Sequence, residues 1–329
     1  MRPSDAAPLA ARRNDPEVAR YQDWTVPYPL ERAQQTIAEV IALGGPSPDE
    51  WWMVTVADPT DTAVHGDLVV HLSSNGRTAE IGYTLARDAW GRGLAAETVS
   101  ALVAYLFEQL DVTRVEGRLQ PENLASAMVL ERVGMRWEGH LRLSYWIGDD
   151  NSDDLIYGMT RTDWEQWRDR PRGRPESIEL VEITHENLPD VLRLQVHRSQ
   201  ERLVADVRTS LAEALIPPVE HGVPVEPWYR AVAADGAIVG FVMVARSTRA
   251  RTDPYLWRLL VDRGQQRRGI GASVVGLVVE RARAWGATGL TVSWRPGKGS
   301  PEPMYRALGF VPTGAIEDGE IVARLPLEP

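Results

Sequence analysis

The chain contains no cysteine. Disulfides, thiolate metal sites and a cysteine nucleophile are excluded at the outset. Histidine is scarce as well: six residues are scattered over 329 positions with no HExxH-like spacing, so no metal is expected. No run approaches the roughly 18 apolar residues that cross a bilayer. The Asp-, Pro- and Arg-containing start lacks the apolar core of a signal peptide, so the expected setting is the cytoplasm, with no membrane partner. An excess of positive charge is also missing. The formal net charge of −10 opposes nucleic-acid binding, and either attracts cationic small molecules or serves solubility alone.

What is present is an ordinary soluble composition, 43% hydrophobic and 25% charged, in a chain too long for one ordinary core. Two domains are predicted. The run RDRPRGRPE, Arg168 to Glu176, has two prolines, dense charge and no apolar periodicity, and marks a linker. The expected division is a domain over 1–168, a linker over 169–176 and a domain over 177–329.

The chain repeats itself across that linker. Gly93 in WGRGLA and Gly134 in ERVGM lie 41 residues apart; Gly269 in QRRGIG and Gly309 in RALGF lie 40 apart. In each copy the first glycine follows a strand-like run, Ala79 to Leu85 or Tyr255 to Val261, and opens a helix. Val99, Leu102, Val103, Leu106, Phe107 and Leu110 form one apolar stripe on the first of these helices; Val274, Val278, Ala282 and Trp285 do so on the second. A short strand follows, Arg114 to Leu119 or Gly289 to Ser293, then a helix ending at Gly134 or Gly309, each suited to the left-handed position past a helix end. Antiparallel strands are expected upstream, at Trp51 to Val56 and Asp67 to Leu72, and at Tyr229 to Ala233 and Ile238 to Ala245. The predicted fold class is α/β: two tandem domains, each a mixed, mostly antiparallel sheet flanked by helices. The first copy starts only a few residues before a helix-like run at Ala6 to Arg13, which points to a missing first strand. Asp149, Asp150, Asp153 and Asp154 read as a solvated turn or a cation-attracting rim.

A glycine-bearing turn at a helix N-terminus presents unpaired N–H groups and a positive dipole end, so it can cradle a phosphate. In the second copy Gln266, Arg267, Arg268, Gly269, Ile270, Gly271 and Ala272 form that cradle, with two arginines for charge. In the first copy Trp90, Gly91, Arg92, Gly93, Leu94 and Ala95 do so, with one. Gly91 to Ala96 also fits the G-x-G-x-x-A dinucleotide pattern, with Asp111 twenty residues on. Asp111 precedes the next strand, where a ribose-binding acid would end it, and this counts against a dinucleotide.

QRRGIG after a strand, with MYRALGF forty residues later, resembles the GNAT superfamily of acetyl-CoA-dependent N-acetyltransferases over nearly all of 177–329. PYLWRLLVD, the AWG at Ala284 to Gly286 and GSPEPMYRALGFVPTG resemble its diamine and spermidine acetyltransferase branch. NDPEVARY, EIGYTLARDAWGRGLAAE and NLASAMVLERVG resemble the branch that acetylates ribosomal-protein N-termini, over most of 1–165. The resemblance implies acetyl-CoA as acyl donor, its diphosphate on the glycine turns. It also implies strands that splay at Leu85 and at Leu260 and Val261 to offer a backbone N–H to the thioester carbonyl. It places Tyr305 near the coenzyme sulfur as general acid. Glu302 is the candidate base, or a helix-start carboxylate favoured by the dipole. Trp257 is a wall for a cationic chain, or a core residue.

No tyrosine stands in the first copy where Tyr305 stands in the second; Ala127, Met128 and Val129 occupy that neighbourhood. By the same resemblance Ser126 lies near the sulfur and Asn123 holds the coenzyme arm, although Asn123 equally fits a helix cap. Glu80, on the strand before the turn, is a candidate base. The reading is acetylation of a small amine, polyamine-like or an amine-bearing antibiotic, by the C-terminal domain. The alternatives are a non-catalytic acetyl-CoA or ligand sensor, and protein N-terminal acetylation by the N-terminal domain. Pairing of the two domains within one chain would give a pseudo-dimeric monomer.

Overall fold

A computed structural model describes residues 1–60, 63–147, 150–249 and 251–327. The chain divides into two compact units, Met1–Asp169 and Arg170–Pro329.

The first unit runs α1 (Ala6–Arg13), α2 (Pro16–Ala19), α3 (Leu30–Leu43), β1 (Trp51–Ala57), β2 (Val64–Leu72), β3 (Thr78–Leu85), α4 (Leu94–Gln109), β4 (Arg114–Leu119), α5 (Leu124–Arg132), β5 (Arg136–Ile147), β6 (Asp150–Thr160) and α6 (Arg161–Asp169). Its sheet has the order β1-β2-β3-β4-β6-β5 and is antiparallel except where β3 meets β4. That parallel contact is short. Thr78, Ala79 and Glu80 pair with Arg114, Val115 and Glu116, after which β3 continues to Leu85 without β4. The apolar stripe of α4 covers the sheet: Val99, Leu102, Val103, Leu106 and Phe107 are all buried, while Leu110 packs at the margin. Gly134 takes φ +101 just beyond α5, and a methyl group there would meet the Trp167 ring at 2.4 Å, so only glycine fits.

The second unit runs β7 (Ile178–Val181), α7 (Leu188–Val191), α8 (Val207–Leu215), β8 (Val219–Glu220), β9 (Val223–Pro224), β10 (Pro227–Ala234), β11 (Ala237–Ala245), β12 (Tyr255–Val261), α9 (Ile270–Ala284), β13 (Gly289–Trp294), α10 (Glu302–Ala307), β14 (Val311–Glu317) and β15 (Glu320–Pro326). Its main sheet is β14-β15-β13-β12-β11-β10-β7, again antiparallel except for one short parallel contact. There Tyr255 and Leu256 pair with Thr291 and Val292 before β12 and β13 part. Val274, Val278 and Ala282 of α9 are fully buried on this sheet, and Trp285 packs edge-on against Trp228.

The two sheets differ at one edge. Among the described residues the first has no counterpart of β7, so its edge strand is β1. Its front is instead helical, with Leu9, Tyr28, Ala33 and Ile37 in a small core of their own. Two polar links fasten this layer to the sheet: Thr55 Oγ1 donates to Asp5 at 2.7 Å, and the Arg12 guanidinium pairs with Asp67, both side chains buried. The acidic run between β5 and β6 is partly structural rather than a solvated turn: Asp154 is 5% exposed and accepts from Ser144 at 3.0 Å, and Asp153 accepts from the Leu143 N–H at 2.8 Å. Asp149 lies outside the described residues.

Removing one partner of a buried ion pair strands the other charge away from water, at about 3 kcal/mol. Asp67→Ala should therefore lower the unfolding free energy of the first unit, read from urea titration, by that much, and Asp67→Asn by less; an unchanged value for Asp67→Ala would show that the Arg12–Asp67 pair adds nothing to stability.

Candidate active site

Each parting of parallel strands leads directly into the same backbone turn. In the first unit Trp90 is extended at φ −71, Gly91 and Gly93 are left-handed at φ +74 and +85, and Gly93 is the N-cap of α4. In the second Gln266 is extended at φ −66, Arg267 and Gly269 are left-handed at φ +66 and +80, and Gly269 is the N-cap of α9. The first residue of each turn braces it against its own strand: Trp90 Nε1 donates to the Leu85 carbonyl at 2.9 Å, and Gln266 Nε2 to the Val261 carbonyl at 3.1 Å. Arg267 holds a conformation that costs a non-glycine residue about 1 kcal/mol, where the other copy uses glycine.

The N-termini of α4 and α9 carry no side-chain cap. The first N–H groups to return within the helices are those of Glu97 and Ser273, to the Gly93 and Gly269 carbonyls, each at 3.1 Å. The N–H groups of Leu94 and Ala95, and of Ile270, Gly271 and Ala272, precede them and are left to an outside acceptor. Such a cradle has room for an anion only if nothing fills it. A methyl group on Gly91 or Gly93 would meet no atom within 4 Å; one on Gly269 would lie 3.1 Å from Arg174 Nε, and one on Gly271 3.2 Å from Met304 Sδ. The turn arginines are disposed unequally. Arg92 and Arg267 are exposed, whereas Arg268 is 7% exposed and donates to the Gly173 carbonyl at 2.8 Å and to Gln265.

Next to the second parting, Tyr305 on α10 is buried, stacked on Trp294 at 5.8 Å and edge-on to Phe310 at 5.5 Å. Burial pushes its pKa up, and neighbouring Tyr255 adds to the effect, so the phenol keeps its proton. Tyr255 heads a polar chain that the sequence reading missed: its hydroxyl lies 2.7 Å from Ser293 Oγ, which donates to Glu320. Glu302 begins α10 and its Oε1 accepts from Arg306 at 2.7 Å. Trp257 packs in the apolar cluster of Phe241, Met243 and Leu260. In the first unit Asn123 Oδ1 accepts from the Ser126 N–H at 3.2 Å, capping α5. Ser126 Oγ lies 2.8 Å from the hydroxyl of Tyr83, a second residue the sequence reading missed, because strand and helix bring together positions 43 apart. Glu80, the last paired residue before β3 and β4 part, has its pKa raised by burial, with Arg118 opposing and Glu116 adding to the shift. Asp111, the residue a dinucleotide site would need, is exposed and paired with Arg77 at 2.7 Å.

Residues 1–136 match the acetyltransferase (GNAT) domain and residues 196–310 the acetyltransferase (GNAT) family. The chain is 32% identical over 142 residues, 43% of its length, to the uncharacterised N-acetyltransferase p20 of Bacillus licheniformis, and covers 79% of that protein. The chain belongs to the GNAT family of N-acetyltransferases. It is 28% identical over 99 residues, 30% of its length, to the uncharacterised N-acetyltransferase YnaD of Bacillus subtilis, covering 58% of it. To the ribosomal protein uS5 alanine N-acetyltransferase of Escherichia coli it is 26% identical over 88 residues, 27% of its length, covering 45% of that enzyme. A spermidine N-acetyltransferase from Vibrio cholerae, solved with CoA and spermine, aligns at 17% identity and TM-score 0.44 over 50% of this chain and 95% of that one.

A half-buried imidazole lies in the second domain at His197. Burial, reinforced by Arg263 and Arg170, lowers its pKa from 6.5 to about 4. A folded-state pKa below the unfolded one gives stability that is whole above pH 6.5 and is lost as pH falls toward 4. The domain should lose about 2 kcal/mol over that interval through this residue. His197→Gln should flatten the pH dependence of the domain's unfolding free energy, read from urea titrations at each pH, by that amount, and an NMR titration of the wild-type ring should show a midpoint well below the ordinary imidazole range.

Proposed function

We propose that the C-terminal domain transfers an acetyl group from acetyl-CoA to a small amine. The observation that carries this reading is the uncapped α9 N-terminus behind two left-handed residues, set where β12 leaves β13. The N–H groups of Ile270, Gly271 and Ala272 suit a diphosphate. The unpaired edge of β12 at Leu260 and Val261 suits an extended amide-bearing arm, whose groups would replace the missing strand partner. Among the described residues no cluster of metal-ligating side chains is present.

The reaction forms a bond from the amine nitrogen to the thioester carbon and breaks the carbon–sulfur bond, so the sulfur must gain a proton and the nitrogen lose one. Tyr305, buried and protonated, supplies the first; a phenol near pKa 10 or above is neutral at pH 7 and can donate to a forming thiolate. An alkylamine of similar pKa is only about one part in a thousand neutral at that pH, so a base is needed. Glu302 offers its Oε2 for this while Arg306 holds Oε1. The acceptor's class is read from charge: the protein is acidic overall and its substrate amine is a cation in solution.

A second reading rests on the first domain. Ser126 and Tyr83 form a hydroxyl pair, Glu80 is a carboxylate with raised pKa at the strand parting, and the Gly91 and Gly93 cradle is open. This supports acetylation of a protein N-terminus there.

Turnover with acetyl-CoA on panels of amines and of peptides separates these readings. Tyr305→Phe should lower kcat on amines at least about 100-fold with little change in the KM for acetyl-CoA; full retention would refute the acid role. Gly269→Trp should abolish amine turnover and Gly93→Trp should spare it. Peptide turnover lost in Gly93→Trp and in Tyr83→Phe, but kept in Gly269→Trp, would establish the second reading. Saturable coenzyme binding with no turnover on either panel would mark a sensor.

A further inference from the structure

The segment that opens the second unit is fastened across the turn that opens α9. Arg268 Nε donates to the Gly173 carbonyl at 2.8 Å, and its Nη2 lies 3.6 Å from Asp235. Asp235 in turn accepts from the backbone N–H groups of Glu176 and Ser177 at 2.8 and 3.0 Å. Residues 173–177 are thus held to one buried arginine and to the turn between β10 and β11. The consequence appears at Arg174, whose Nε and Nη2 would lie 3.1 and 3.6 Å from a methyl group on Gly269. A guanidinium therefore stands beside the unpaired N–H groups of α9. Arg172 and Arg174 line an open cleft of about 900 Å³ with Gly173, Asp235 and Arg268.

A cation at the positive end of a helix is repelled. Here Arg172, Arg174, Arg267 and Arg268 gather at that end against the carboxylates of Asp235 and Glu176, and Asp235 is already engaged. The arrangement is unfavourable by itself and favourable around a doubly charged anion, which the N–H groups would bind from one side and a planar guanidinium from the other. The first domain has no such arrangement: nothing lies within 4 Å of the Cβ positions of Gly91 or Gly93.

We propose that Arg174, supplied by the segment between the two domains, is a ligand of the donor's diphosphate in the C-terminal domain. The inference rests on the acetyl-CoA reading above. Its contact is with the diphosphate, because the guanidinium lies at Gly269, the N-cap itself. The segment joining the domains then serves as one wall of the coenzyme site, and coenzyme binding should order it.

Calorimetric titration of the full chain with coenzyme A, with Gly269→Trp identifying the binding step that belongs to the second domain, provides the test. Arg174→Ala should weaken that step about tenfold, and Arg174→Lys by less. The same factor should hold for 3′-dephospho-coenzyme A. Unchanged or tighter binding in Arg174→Ala overturns the proposal, the tighter result marking Arg174 as a plug; a loss confined to coenzyme A overturns the diphosphate assignment. Trypsin provides a readout independent of affinity. Within 170–174 only the Arg172–Gly173 bond lacks a following proline, and coenzyme A should slow its cleavage in the wild-type chain but not in Arg174→Ala. Absence of any coenzyme binding by the wild-type chain would instead defeat the acetyl-CoA reading itself, a result distinct from either failure of Arg174.

Discussion

The architecture depends on backbone groups deliberately left without partners. A parallel strand pair is closed for only two or three residues and then opens, and the strand that has lost its neighbour turns through two left-handed residues into an uncapped helix. Each unpaired N–H in such a place is left to water or to an outside acceptor. Everything around it serves to hold that geometry: the brace from Trp90 or Gln266, the helix stripe pressed on the sheet, and the glycine that ends the following helix.

The two domains show that this backbone is separable from the chemistry placed on it. The left-handed positions agree within about ten degrees, yet one is filled by Gly91 and the other by Arg267. The hydroxyl-bearing neighbourhood differs more. In the second domain a tyrosine stands on the helix after the parting strand, stacked among aromatics. In the first, a serine stands on the equivalent helix and the phenol comes from the strand, at Tyr83. One hydroxyl-bearing constellation is thus assembled by two routes.

Charge is arranged locally rather than globally. The chain is acidic, but residues 170–174 and the α9 turn concentrate arginine. In the first domain the Glu80 pKa is raised first by burial, with Glu116 and Asp154 adding and Arg118 and His71 opposing, and Tyr145 is pushed up to about 12, first by burial and then by Asp23, Asp154 and Glu80.

The duplicated fold was legible because its signals are local. The spacing from Gly93 to Gly134 and from Gly269 to Gly309, the apolar stripes of α4 and α9, and the short front of the first copy each depend on residues close in sequence, where 3.6-residue periodicity and left-handed glycine positions leave a direct trace. Side-chain partnership leaves none. That Arg268 turns inward to Gly173, that Ser126 meets Tyr83, that Tyr255 reaches Glu320 through Ser293 and that Arg174 arrives at Gly269 follow from which elements the sheet and linker bring together. Residue types and their spacing determined the family, the repeat and the two glycine turns; only tertiary packing decided which arginine lies beside Gly269 and which hydroxyls meet, because hydrogen bonds between distant segments exist only once the backbone has placed them.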